Sequence, residues 1–246
     1  MTRLGTRAVV LGLGAALVGV ACKDVTFGIK EPPDQAPKPV PKGVTKVDIT
    51  PPTDTADGTS AVTIKVTVDT LPRPSDNRVT LTTTVGTFLG ATTTVTVPVN
   101  DSGLAYAQVR APAEESSGLI SATAAGVTQY AAITFVAAPP TRVQLTTSDF
   151  VLKAGPGNTV TLTAQLLRPT GTPSPGDTVT FSAVAGAASS DVGQFIPKTV
   201  VSTSNTVTTR FSVADTSFRG PVTAQVTVTR GPKVRVSDSI SLLAVP

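Results

Sequence analysis

The side chains that could do chemistry in this 246-residue chain are few, and the missing types exclude whole classes of mechanism. There is no His and no Trp, with one Met and one Cys, so His-dependent hydrolytic triads, His or multi-Cys metal sites and a dithiol redox pair cannot be assembled from this sequence. Among the acids, Asp54, Asp57 and Asp101 sit where loops at the ends of strands can collect calcium. A calcium site needs several oxygen ligands from one clustered loop. Asp57-Gly58 and Asp101-Ser102-Gly103 are equally what tight turns require, Asp to accept hydrogen bonds from its own backbone and Gly to take positive φ, and the turn is the expectation. Glu114-Glu115 is an adjacent acidic pair, but neighbouring side chains point apart. With Ser116-Ser117-Gly118 predicting a turn after it, the pair reads as a solvated loop rather than the two facing carboxylates of glycoside hydrolysis. Tyr106 and Tyr130 are too isolated, at 4% aromatic residues, to make a sugar-stacking platform. Thr82-Thr83-Thr84 and Thr92-Thr93-Thr94 offer hydroxyls for glycans, yet β-branched Thr equally suits the wet face of a strand. The expectation is a chain with no catalytic residue, no metal, no cofactor and no small-molecule substrate.

Cys22, the lone thiol, has a more specific setting. Arg3 and Arg7 form a positive start, and Ala8 to Ala21 is an uncharged, mostly apolar stretch. It is shorter than the roughly 20 apolar residues a membrane helix needs, and so reads as an export signal over residues 1–21. Leu17-Val18-Gly19-Val20-Ala21-Cys22 resembles a lipobox, at which the cysteine thiol is acylated and the chain is cut just before it. Gly19 and Ala21 also satisfy the small-x-small rule of ordinary secretory cleavage, so a soluble secreted protein is the alternative. The net charge of +4 includes Arg3 and Arg7; without them the basic side chains nearly balance the 16 acidic ones. The rest are scattered with no interleaved aromatics, which argues against nucleic acid as a partner.

Residues 22–43 carry Pro32, Pro33, Pro37, Pro39 and Pro41 among charged residues and read as a tether after the cysteine. Such a chain extends by about 3.1 Å per residue. From Val44 the pattern becomes period-two alternation, as in Val62, Ile64, Val66 and Val68 with polar residues between, the signal of half-buried strands. About seven short strands separated by Asp57-Gly58, Arg73 to Asn77 and Asn100 to Gly103 predict an antiparallel sandwich of immunoglobulin type over 44–137. Ala138-Pro139-Pro140 opens a short linker at 138–141, and a similar passage fills 142–246. Val160 to Ala164 echoes Val62 to Val66, Val179-Thr180-Phe181 echoes Val79-Thr80-Leu81, Val192 to Phe195 echoes Val85 to Phe88, and Gly220 to Ala224 echoes Gly118 to Ala122. Two copies of one fold, with loop insertions, explain this order.

Ala56-Asp57-Gly58, Thr84 to Phe88, Asp101 to Ala105 and Gly118 leading to Ala122-Thr123-Ala124 resemble bacterial Ig-like domains of the invasin and intimin type. The second copy offers Thr203-Ser204-Asn205-Thr206 in place of the Asp-x-Gly-x-Ala turn. The resemblance implies rigid surface spacers or adhesive modules. No disulfide or Trp is available to pin the sheets, so the core must be apolar burial alone. The expected core is Val62, Ile64, Val66, Leu81, Phe88, Val97, Val109, Ile120 and Phe135, then Val160, Leu162, Leu166, Phe181, Phe195, Phe211, Val213, Val226 and Leu242.

The fold class expected is thus all-β, two tandem immunoglobulin-like antiparallel β-sandwiches. The function expected is that of a non-catalytic lipoprotein of the cell envelope, at the outer membrane or cell surface. Its partners would be the membrane, through the lipid on Cys22, and a protein or surface ligand. The alternative is an envelope assembly or accessory subunit that docks by adding a strand to a partner's sheet.

Overall fold

Val, Ile and Leu alternating with Thr and Lys suit a pleated surface with one wet face, and from Val44 onward the computed structural model is built of strands. It describes residues 43–69, 77–186 and 191–246. The export signal, Cys22, the Pro-rich tether and most of the turn expected at 73–77 lie outside the described residues.

The first sandwich contains β1 (Val44–Thr50), β2 (Thr53–Ala56), β3 (Ala61–Val68), β4 (Arg78–Thr83), β5 (Thr94–Pro98), β6 (Leu104–Arg110), β7 (Ser116–Ala124) and β8 (Val127–Ala137). One sheet has the order β1-β3-β6 and the other β2-β8-β7-β4-β5. The second contains β9 (Arg142–Thr147), β10 (Val151–Lys153), β11 (Val160–Leu167), β12 (Thr178–Ala185), β13 (Gln194–Ile196), β14 (Thr199–Val201), β15 (Thr206–Ser212), β16 (Gly220–Arg230) and β17 (Val234–Val245). Its sheets are β13-β15-β11-β9 and β10-β17-β16-β12-β14.

Two pairings depart from the expected antiparallel pattern. After β1 the chain passes Pro51-Pro52 and changes sheet, so that β2 runs parallel to β8 from Thr53↔Thr134 to Ala56↔Ala137. β10 does the same against β17, from Val151↔Leu243 to Lys153↔Val245. The expected turn at Ser116-Ser117-Gly118 is instead the start of β7, paired with Phe135, Thr134 and Ile133 of β8. Gly118 is needed there for close approach, because a Cβ would lie 2.3 Å from Thr84 Oγ1 and 2.7 Å from Val85.

Each sandwich closes on its own apolar cluster, one around Ile64, Leu81, Ile120 and Phe135, the other around Leu162, Leu166, Phe181 and Phe211. Phe195 stacks on Phe211 at 4.6 Å and on Phe181 at 6.1 Å between ring centroids. Burying each such side chain contributes about 1.5–3 kcal/mol. Every expected core residue is buried except Val97, which is half-buried because β5 is an edge strand whose inner face meets solvent on one side.

The repeats occupy equivalent places. Gly86 and Gly193 both take positive φ, 68° and 75°, and a Cβ on either would lie 2.4 Å from a carbonyl oxygen at the end of the neighbouring strand, that of Arg110 or Ser212. Each glycine thereby admits the following Phe88 or Phe195 to its core. The turn that replaces Asp-x-Gly-x-Ala keeps its bond: Leu166 N donates to Asn205 O at 2.8 Å as Val68 N donates to Gly103 O. The pairing of β12 with β16 sets Phe181 opposite Val226, whereas Leu81 lies opposite Ala122. That is a slip of two residues against the repeat alignment, which keeps every side chain on its own face.

Candidate functional site: the junction between the sandwiches

Asp57 lies in the turn that follows β2 and is buried. Its Oδ1 accepts from Thr59 N at 2.9 Å and Ser60 N at 2.7 Å, and its Oδ2 accepts from Ser60 Oγ at 2.8 Å. Burial opposes its ionisation, but the bonds from Ser60 and Thr59 outweigh it and hold the carboxyl below the usual range. Both oxygens therefore serve the turn. Asp101 does not play the expected part: the side chain that closes its turn is Asn100, whose Oδ1 accepts from Ser102 N at 3.0 Å and Leu104 N at 2.9 Å, with Gly103 at φ 74°. Asp101 itself is exposed, and Asp54 is half-buried and accepts from Thr55 N at 2.7 Å.

Glu114 and Glu115 are both exposed just before β7, and Tyr106 and Tyr130 are exposed on different strands. Thr84 lies on the wet face and Thr82 is half-buried beside Thr94, while Thr83 turns inward and is buried. The structure brings none of these together into a catalytic cluster, and among the described residues no three acids or cysteines converge.

The turn of Asp57 is instead one half of a junction. The other half is the segment 168–177 between β11 and β12. Thr172 N donates to Asp57 O at 2.9 Å, and Gly171 approaches so closely that a Cβ would stand 2.5 Å from the same oxygen. Ser174 is buried and fully used: its Oγ donates to Ala56 O at 2.6 Å and accepts from Ala138 N at 3.0 Å, while its N donates to Ala138 O at 2.9 Å. Arg168 Nη1 donates to Pro139 O at 2.6 Å.

Behind this segment stands an ion pair. Arg230, at the end of β16, donates from Nε to Asp177 Oδ1 at 2.8 Å and from Nη2 to the carbonyl oxygens of Ser174 and Pro175. Asp177 is buried, with its N bonded to Ser202 Oγ at 3.0 Å, and its Oδ2 has no hydrogen-bond partner among the described residues. Burial pushes the Asp177 carboxyl up, against the attraction of Arg230. Sequence reasoning assigned the junction to Pro139-Pro140 alone. The contacts of Ser174 and Arg230 span 36 residues and more in sequence, and no local spacing announces them.

No family model matches the chain, and no curated protein matches it. Solved structures do. Invasin, described as a bacterial integrin-binding protein, superposes with a TM-score of 0.60 at 19% identity over 81% of this chain and 38% of its own. Both sandwiches have the Ig-like fold. The Yersinia pseudotuberculosis adhesin InvE gives a TM-score of 0.48 at 19% identity, over 80% of this chain and 58% of its own. A tetra-tandem repeat from the extending region of a large adhesion protein gives 0.46 at 16% identity, over 80% and 48%. The chain spans less than two thirds of each of these structures, and at such identity the likeness is one of Ig-like fold.

Proposed function

We propose that this chain is a non-catalytic lipoprotein of the cell envelope, held by an acyl anchor on Cys22 and a Pro-rich tether over 23–42. Its two Ig-like sandwiches then serve as a spacer or an adhesive interaction module. The observation that carries the spacer part of this reading is the junction. Buried hydrogen bonds from Ser174, with a further one from the exposed Thr172, join the sandwiches, where two freely swinging modules would need only an open linker. The fold shared with invasin, an integrin-binding protein, agrees with a surface role. Replacing both sandwiches by an unrelated tandem Ig-like pair of equal length, with residues 1–43 kept, separates the two forms of the proposal. A spacer keeps its cross-linked envelope partners and its cellular effect after the swap; an adhesive module loses them. An enzymatic turnover abolished by Asp54→Asn or Glu115→Gln overturns both.

A second reading, docking by strand addition, is favoured by one strand. β6 is the edge of its sheet, with Arg110 bonded outward to Thr87 and Leu104 to Asn100. The alternation then leaves the main-chain groups of Tyr106 and Gln108 facing out, beside a groove of about 490 Å³ lined by Leu89, Val95 and Val97. Gln108→Pro removes one of those donors, and it abolishes capture of an envelope partner only if docking uses this edge.

A further inference from the structure

The two parallel strand pairs have a mechanical consequence. The chain enters the first sandwich through β1 and β2 and leaves it through β8, and β2 and β8 run in the same direction over four residue pairs. Tension between the two ends of that sandwich drags β2 and β8 along the strand axis in opposite senses. Every rung between them is then strained together, whereas a hairpin pulled from its open end gives up its rungs one at a time. β10 and β17 repeat the arrangement over three pairs.

We propose that the second sandwich braces this sheared pair of the first, through Ser174. Ala56 is the last residue of β2, and Ala138 directly follows β8. The Ser174 hydroxyl bonds both, donating to Ala56 O at 2.6 Å and accepting from Ala138 N at 3.0 Å, and its N holds Ala138 O at 2.9 Å. One residue of the second sandwich therefore ties together the ends of the two strands that tension on the first would slide apart. The tie is buried, so water does not compete for it, and Arg230 fixes the Ser174 carbonyl from the other side at 2.7 Å. Thr172 adds a bond to Asp57 O just beyond β2. These bonds must break before β2 moves past β8, so a hydroxyl in one sandwich sets the mechanical lifetime of the other. The biological meaning rests on the spacer reading; the mechanical effect does not.

The test is single-molecule unfolding of the chain at constant force, with handles on both ends. A twenty-residue Gly/Ser insertion at Gly126, in the β7–β8 turn where added atoms meet nothing within 4 Å, lengthens the first sandwich's step by about 70 Å and so identifies it. Ser174→Ala raises the unfolding rate of that step about tenfold at the same force, the loss of one buried bond already strained at the transition. Ser148→Ala removes a hydroxyl of the second sandwich that, among the described residues, accepts from Thr161 N alone, and leaves the step unchanged. Ser174→Cys keeps a weaker donor in a slightly larger side chain, giving an intermediate rise should the alanine variant fold poorly. A first-sandwich rate within about twofold of the parent in both Ser174 variants, or an equal rise from Ser148→Ala, overturns the proposal. Absence of any adhesive or spacer effect of the parent chain in cells, with the tenfold rise intact, overturns the functional reading alone.

Discussion

Asp57→Ala removes the acceptor of three hydrogen bonds at the turn that carries the junction, at 2.7–2.9 Å from Ser60 N, Ser60 Oγ and Thr59 N. Bonds to a charged acceptor contribute roughly 1.5–3 kcal/mol each and do not add fully, so the expected loss is about 3 kcal/mol. Asp57→Asn keeps one oxygen for the two N–H groups and costs about 1 kcal/mol. In a sandwich of this size, about 3 kcal/mol lowers the first sandwich's melting temperature by roughly 12–24 °C. Urea and thermal unfolding of parent and variants at pH 7 measure it directly. The pH dependence has a definite sign. The folded carboxyl lies below its unfolded value of about 3.9, so its contribution is fully present above that value and is lost as pH falls through the folded one. The gap between parent and Asp57→Ala therefore narrows in acid. A loss under about 0.5 kcal/mol at pH 7, or a gap that widens as pH falls below the ordinary carboxylate range, refutes the account of this turn. A large fall in melting temperature on adding a chelator refutes the assignment of both Asp57 oxygens to the turn.

The equivalent glycines supply a second check: Gly86→Ala and Gly193→Ala each cost about 2 kcal/mol or more, since the new Cβ meets backbone oxygen at 2.4 Å, whereas Gly90→Ala meets nothing within 4 Å and carries only the strain of positive φ, about 1 kcal/mol. Urea unfolding ranks the three. Leu81→Ala destabilises by about 3 kcal/mol and Val97→Ala by about 1 kcal/mol or less, because the former is buried between the sheets and the latter lies on the edge strand. In a carbon-detected NMR titration Asp177 titrates above the ordinary carboxylate range and Asp57 below it; protonating Asp177 then relieves a burial cost, while protonating Asp57 removes a stabilising contribution.

What was legible in the sequence is what repeats at short range. Alternation located β3, β6 and β11, and the order of echoes from Val62 to Ala224 marked two copies of one sandwich. β2, with the sequence Thr53-Asp54-Thr55-Ala56, was illegible because it is short and polar, and its pairing is parallel and remote in the chain. Ser116-Ser117-Gly118 has the composition of a turn, and pairing with β8 overrode it. Val97 has the right type and periodicity for the core, but edge position is a property of the sheet order and not of the strand. The junction was hidden for the same reason. Ser174 and Arg230 are an ordinary serine and arginine until folding sets them beside Ala56, Ala138 and Asp177.

The envelope anchor is tested most directly by the mass of the mature protein's N-terminal peptide, taken from cells separated into membrane and soluble fractions. The account predicts a chain beginning at Cys22, carrying acyl groups, found with membranes and released by detergent, with Cys22→Ser leaving a precursor that is not processed in this way. Mature protein found wholly in the soluble fraction with an unmodified Cys22 thiol contradicts it.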